Sequence, residues 1–115
     1  MNLTTEMLDG GIEKISLFGR MDIDGTQEIE TRLAAAASSD GAKIMLDLSG
    51  VDFMASIGIG ILVSTAKSLR RRGGIMVLLN PQPVVLLVLE RTQMHTLMPV
   101  CADFDEAGRM LRSGR

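Results

Sequence analysis

Two short, almost wholly apolar segments flank one helix-length segment in the middle of the chain. Residues 43–48 (KIMLDL) and 75–79 (IMVLL) have the composition of strands that are buried on both faces. The stretch between them closes with residues 70–74 (RRRGG), which is typical of a helix end. Two such strands joined through a helix are parallel, because the helix crosses over the sheet. This βαβ unit predicts an α/β protein.

The rest of the chain continues this alternation. Strands over Leu3–Leu8 and Ile12–Gly19, separated by the turn sequence DGG, predict an N-terminal hairpin. The first helix is predicted over Glu28–Ala37, with Thr26 or Asp24 as its N-cap. The remaining predicted elements are a loop over 49–55, helices over about 56–72, from 83 onward and over 103–112, and a short strand over 98–101. The expected fold is a mixed β-sheet, an N-terminal hairpin followed by βα units, packed against about four helices.

Length and composition restrict the function. The chain has 115 residues, which suits one domain with its own core, so a single domain over residues 1–115 is predicted. Its 12 basic and 14 acidic side chains give a net charge of −2, and its three aromatic residues are all phenylalanine. We therefore expect no nucleic acid as a partner. A single cysteine and a single histidine form neither a disulfide nor a His/Cys zinc site, so no metal or other cofactor is expected.

The sequence also bears on location. The N-terminal residues MNLTTE lack the basic and apolar regions of a signal peptide. The longest apolar runs fall far short of the ~20 residues that a membrane span needs. With one lone thiol, the chain is predicted to be cytoplasmic, without a membrane partner.

The second predicted helix begins at Ser56. On a helical wheel, its apolar side contains Ile59, Leu62 and Leu69, while Ile57 and Ile61 fall on the opposite side. Two isoleucines are therefore expected at the surface close to Ser56. The positions predicted to be buried are Leu46, Leu48, Leu62, Val63, Ala66, Val77 and Leu79.

Three roles for Ser56 follow from its place at a helix start. A serine there is commonly an N-cap. An exposed hydroxyl at the positive end of a helix is also a good place for a phosphate, because free amides and the helix dipole favour negative charge. A nucleophile is disfavoured, because Met54 replaces the first glycine of a nucleophile elbow and His95 is the only candidate base. No catalytic residue is expected, and the chain is predicted not to be an enzyme.

Residues 47–60 (DLSGVDFMASIGIG) resemble the signature block of the STAS domain, in particular of the bacterial anti-sigma factor antagonists. Typical members read roughly D-L-S-x-V-x-F-M-D-S-[ST]-G-L-G here. Residues 19–22 (GRMD) are similar to the G-x-[LM]-D that follows the second strand in that family, and weaker likeness extends over nearly the whole chain. Two positions depart from the pattern: Ala55 replaces the Asp before the serine, and Ile57 replaces the following Ser or Thr.

The resemblance implies a STAS-like sheet and a partner-switching function. In that family the serine at the position of Ser56 is phosphorylated by a serine kinase of the GHKL-type ATPase fold, which is also the anti-sigma factor. A PP2C-type phosphatase reverses the reaction. The unphosphorylated chain is then expected to bind the kinase and the phosphorylated chain to release it. The alternative is a non-phosphorylated STAS accessory or scaffold subunit of a transporter or signalling complex, which Ala55 and Ile57 favour.

The expected partner surface combines the Ser56 helix with two neighbouring segments. Asp22 matches an acidic position of the family near the phosphorylated serine. The third helix carries more apolar residues than can face the core, so some of them are expected at the surface. The predicted partner-binding residues are Asp22, Ser56, Ile57, Gly58, Ile61, Ser64, Val84 and Leu87.

Overall fold

The computed structural model describes residues 1–113 as a five-stranded sheet with four α-helices. The strands are β1 (Asn2–Leu8), β2 (Ile12–Met21), β3 (Lys43–Met54), β4 (Ile75–Leu79) and β5 (Val100–Cys101). The helices are α1 (Ile23–Ala36), α2 (Ser56–Arg71), α3 (Pro83–Arg91) and α4 (Phe104–Arg112), with a 3₁₀ turn at Met94–Thr96. The last two residues of the predicted 1–115 domain lie outside the described residues.

The order of the strands in the sheet is their order in the chain. β1 and β2 form the antiparallel hairpin, and the β2–β3, β3–β4 and β4–β5 pairs are all parallel. The predicted mixed sheet is therefore confirmed. Because parallel strands end at the same edge of a sheet, the segments that follow β2 and β3 emerge side by side.

The two faces of the sheet carry separate cores. The larger core lies under α1, α2 and α3 and receives Ile44, Leu46 and Leu48 of β3. The smaller core lies under α4 and receives Met45 of the same strand. It also holds Cys101, where burial raises the pKa of the thiol from 9.0 to about 11, so the thiol stays protonated at neutral pH.

β3 continues through residues 49–54, which the sequence predicted as part of a loop. The prediction failed because serine, glycine and aspartate there are typical turn residues, whereas pairing with β2 keeps the chain extended through two register shifts. Gly50 makes the pairing possible. A Cβ atom at this position would lie 2.5 Å from the ring of Phe18 and 2.8 Å from the carbonyl oxygen of Leu17.

α1 also differs from its prediction. It begins at Ile23 rather than Glu28, and its N-cap is Asp22 rather than Thr26 or Asp24. A glycine in the first turn concealed this start, because glycine is unfavourable in helices. The earlier start places α1 directly after β2, beside the site described below.

Replacing Asp22 with alanine should lower the free energy of unfolding by about 0.5–2 kcal/mol. The Asp22 carboxylate accepts a hydrogen bond from the Gly25 amide at 2.8 Å, and alanine removes that acceptor. The ion pair between Arg20 and Asp22, at 3.6 Å and largely exposed, contributes little to the free energy of unfolding. Urea denaturation of Asp22→Ala and Asp22→Asn measures the effect, since asparagine keeps an acceptor. Equal stability of the two variants would contradict the capping role.

α2 is rotated about its axis relative to the prediction. Its buried residues are Gly58, Leu62, Thr65 and Leu69. The helical wheel placed the buried face of α2 on the side of its larger apolar residues, away from Gly58 and Thr65. The predicted burial of Val63 and Ala66 is therefore wrong, and both are only partly buried. The other five predicted core residues are buried: Leu46, Leu48, Leu62, Val77 and Leu79.

Among residues 1–113, no helix combines the length and the hydropathy needed to cross a membrane.

Candidate functional site

Ser56 lies where the chain leaves the end of β3 and turns into α2. Met54 at the end of β3 pairs with Met21 at the end of β2. The amide of Ala55 donates a hydrogen bond to the carbonyl oxygen of Met21 at 3.0 Å. These contacts tie the two strand ends together, so that Asp22 and Ser56 emerge from neighbouring strands at one edge of the sheet.

The start of α2 has no side-chain cap. Ala55 is the N-cap residue, so Ser56 is the first helical residue and the N-cap role considered for it is wrong. The carbonyl oxygen of Ala55 accepts from the amides of Gly58 at 3.0 Å and Ile59 at 3.2 Å. The amides of Ser56 and Ile57 precede these bonds and have no intrahelical acceptor. Ser56 itself is exposed, and the first turn of α2 carries no acidic residue.

A groove between α1 and α2 begins next to Ser56. Its first part has a volume of about 330 Å³ and is lined by Thr26, Glu30, Ile57, Gly60, Ile61 and Ser64. A second part of about 220 Å³ continues along the same two helices. We call the two parts the α1–α2 groove. Three predicted partner-binding residues therefore lie together in it: Ile57, Ile61 and Ser64.

The α1 side of this groove was missed by the sequence prediction. Thr26 and Glu30 face the isoleucines of α2, and the Thr26 hydroxyl is buried without a hydrogen-bond partner. The prediction started α1 at Glu28, which placed Thr26 outside the helix. It therefore could not infer that α1 lines the groove opposite α2. The amphipathic pattern of α1 alone does not reveal which flank lies against α2.

The two isoleucines are not equally exposed. Ile57 is 36% exposed and lies beside Ser56 in sequence. Ile61 is partly buried and packs against the larger core. The prediction that both lie away from the core is therefore confirmed for Ile57 and wrong for Ile61, because of the rotation of α2.

Gly58 is buried beneath α2. A Cβ atom there would lie 3.1 Å from Cβ of Met21 and 3.3 Å from Cγ of Met54. Gly58 thus lets α2 approach the ends of β2 and β3 closely. Gly58 is enclosed by this packing, and its predicted contact with a partner stays a prediction.

The two glycines of α2 should respond oppositely to alanine. Gly60→Ala should stabilise the protein by about 0.5–1 kcal/mol, because alanine favours the helix and no atom beyond the adjacent residues and the local helix backbone lies within 4 Å of the new methyl group. Gly58→Ala should give a less stable protein than Gly60→Ala, since crowding against Met21 offsets the gain. Thermal unfolding compares the two. Equal stabilisation by both would contradict the close approach at Gly58.

Two of the predicted partner-binding residues belong to α3. Val85 and Leu89 are buried, whereas Val84 is 52% exposed and Leu87 is 46% exposed. The exposure expected for these two side chains is confirmed. Neither lines the α1–α2 groove. The structure therefore does not bring them together with Ile57 and Ile61 in one groove.

His95 does not lie near Ser56. It lines a cleft of about 470 Å³ together with Arg70, near the opposite end of α2. The rise of 1.5 Å per helical residue separates the two ends by about 20 Å, so His95 is out of reach as a base for Ser56. Within residues 1–113, no three His, Cys, Asp or Glu side chains are grouped to hold a metal ion.

Comparisons with known proteins agree with this geometry. The family model for the STAS domain matches residues 9–107. The anti-sigma F factor antagonist of Lysinibacillus sphaericus is 30% identical over 91 residues, which is 78% of each chain. The solved structure of the anti-sigma factor antagonist SpoIIAA in its unphosphorylated form has a TM-score of 0.77 at 25% identity and covers 97% of both chains. An anti-sigma factor antagonist from Mycobacterium paratuberculosis reaches a TM-score of 0.84 at 25% identity, covering 96% of this chain and 93% of its own. The chain therefore belongs to the STAS domain family.

Proposed function

We propose that this chain is a cytoplasmic anti-sigma factor antagonist that acts by partner switching and has no catalytic activity of its own. When unphosphorylated, it binds a serine kinase of the GHKL-type ATPase fold that is also the anti-sigma factor. When phosphorylated on Ser56, it releases that partner. The observation that carries the proposal is the exposed, uncapped Ser56 at the start of α2, next to the α1–α2 groove.

The start of α2 suits a phosphate. A phosphoserine carries about −1.5 to −2 charges at neutral pH. At position 56 it lies next to amides without intrahelical acceptors and at the positive end of a helix of 16 residues. No acidic residue of the first turn repels it. These features of the start of α2 support phosphorylation at Ser56.

The same phosphate opposes partner binding. A partner seated in the α1–α2 groove covers Ile57, the residue next to Ser56 in sequence. Covering a phosphate dianion at this edge removes its water, which costs free energy unless the partner supplies matching cations. Bulk and desolvation therefore act together to release the partner. A PP2C-type phosphatase restores the binding form, and the exposure of Ser56 gives it access.

Phosphate transfer is tested with ATP and a serine kinase of this class, followed by mass spectrometry. Ser49 and Ser64 are also exposed and serve as matched controls. Phosphate on wild type, Ser49→Ala and Ser64→Ala, but not on Ser56→Ala, supports the proposal. Phosphate on Ser49 or Ser64 instead would refute the assignment of Ser56.

The alternative function is a non-phosphorylated accessory or scaffold subunit. It is favoured by Ala55 and Ile57, which replace the acidic and hydroxyl residues that flank the serine in the family pattern. The absence of any phosphate after incubation with the kinase, together with co-purification with a membrane transporter, would support this alternative.

The charge at position 56 should control affinity by itself. Ser56→Asp should bind the kinase partner about tenfold more weakly than wild type, or weaker still, because it places a carboxylate at the contact. Ser56→Ala should bind as tightly as the unphosphorylated protein. Surface plasmon resonance with one immobilised partner compares the three proteins. Equal affinities of the aspartate and alanine variants would argue against a charge-controlled switch.

A further inference from the structure

The two edges of the sheet differ in how open they are. β5 is an edge strand of two residues, whereas β1 is an edge strand of seven. β1 pairs with β2 along its whole length without a register shift. It contains no proline and one charged residue, Glu6. Proteins commonly protect long edge strands with bulges, prolines or several charges, because the free backbone groups pair readily with another strand.

A protruding side chain and a groove lie on the same face of this edge. Alternation along β1 places Leu3, Thr5 and Met7 on the face that carries α1. Met7 is 67% exposed, more than any other large apolar residue of the described chain. A groove of about 410 Å³ lies near the other end of the strand, between Leu3 and Thr5 of β1 and Ala35 and Ala36 of α1.

We propose that β1 pairs antiparallel with β1 of a second copy of this chain, with Thr5 opposite Thr5 across a two-fold axis. This register uses all seven residues of the strand. It places Met7 of each copy opposite Leu3 of the other, at the mouth of the groove that Leu3 lines. It also places Glu6 opposite Thr4, where the hydroxyl can donate a hydrogen bond to the carboxylate. Such a contact is isologous, because each surface fits its own copy.

The neighbouring registers are less favourable. A two-fold axis normal to the sheet joins the same face of both copies and places one residue of β1 opposite its own counterpart. Near the middle of the strand, that residue is Thr4, Thr5 or Glu6. Centring on Glu6 places two carboxylates opposite each other, which is destabilising. Centring on Thr4 leaves Leu8 without an opposite residue in β1 of the other copy, and the contact between Met7 and Leu3 is lost. The sequence of β1 therefore selects the register centred on Thr5.

The pairing leaves the α1–α2 groove free. The β1 groove is lined by Arg32, Ala35, Ala36 and Ser39 from α1 and the turn after it, whereas the α1–α2 groove is lined by Thr26, Glu30, Ala34 and Ala37, so the two share no residue. Each copy of the pair keeps its own Ser56 surface. The dimer and the phosphorylation switch are thus independent, and each can fail without the other.

Engineered cysteines test the register. Thr5→Cys places two thiols opposite each other at a Cα separation of about 5 Å, within reach of a disulfide. Thr4→Cys separates them by about 8 Å, beyond the ~7 Å limit. Mild oxidation and non-reducing electrophoresis should give about tenfold more linked dimer for Thr5→Cys. The wild type, which contains only the buried Cys101, gives the background level of linked dimer. Equal linkage of both variants, or faster linkage of Thr4→Cys, would overturn the register.

Sedimentation velocity tests the dimer without a cross-link. The wild type should dimerise as its concentration rises, and Met7→Lys should remain monomeric over the same range, because it places a charge opposite Leu3 of the second copy. Val84→Lys changes an exposed apolar residue away from β1 and should dimerise like the wild type. A wild type that stays monomeric, or a Val84→Lys protein that loses the dimer while Met7→Lys keeps it, would overturn the proposal.

Discussion

Truncation of Leu62 to alanine should lower the free energy of unfolding by about 2–5 kcal/mol. Leu62 of α2 is fully buried and belongs to the larger core. Alanine removes its apolar contacts and leaves a cavity that the surrounding strands cannot close completely. This loss is a large part of the total stability of a domain of this size. Urea denaturation monitored by circular dichroism measures it.

Val63→Ala is the matched control. Val63 is the adjacent residue of the same helix, but it is only partly buried. Its truncation should cost less than about 1 kcal/mol, because little buried surface is lost and alanine is the better helix former. Equal costs at the two positions, or a cost well below 1 kcal/mol at Leu62, would mean that α2 faces the sheet differently.

Introduction of glutamate at Ile57 should weaken partner binding by about 2 kcal/mol or more, roughly 30-fold in Kd, without unfolding the protein. Ile57 lines the α1–α2 groove and is partly exposed. A glutamate there replaces an apolar contact with a charge that must lose its water on binding, in a groove that already contains Glu30. The fold tolerates it, because acidic residues are favourable in the first turn of a helix.

Two further variants distinguish the surfaces. Ile61→Glu should lose both stability and binding, since Ile61 packs against the core. Val84→Glu should change binding only if α3 also contacts the partner, because Val84 is exposed and lies outside the groove. Thermal unfolding and titration calorimetry should be run on each protein. Normal binding by Ile57→Glu would move the contact surface away from the start of α2.

Much of the fold follows from local patterns in the sequence. The apolar runs at 43–48 and 75–79, with a helix-length segment between them, determine the parallel sheet, and β4 has its predicted bounds. The extension of β3 beyond Leu48 could not be predicted, because it depends on pairing with β2 rather than on the turn-like residues themselves. The start of α1 was concealed by Gly25, where a side chain would meet the carbonyl oxygen of Arg20.

The candidate site was predictable only on one helix. Ser56 and Ile57 follow from the sequence because both belong to a recognisable helix start. The facing wall formed by Thr26 and Glu30 depends on how α1 lies against α2, which is a tertiary contact. The burial of Gly58 and the partial burial of Ile61 have the same origin, since the true orientation of α2 is set by its close approach to Met21.

A phosphate on Ser56 is expected to control binding at the α1–α2 groove. The direct test is titration calorimetry of one kinase partner against the same protein preparation before and after phosphorylation, with the phosphate located by mass spectrometry. Binding should be tight before phosphorylation, and the affinity should be at least about 30-fold lower with one phosphate on Ser56. Equal affinities for the two forms would contradict it.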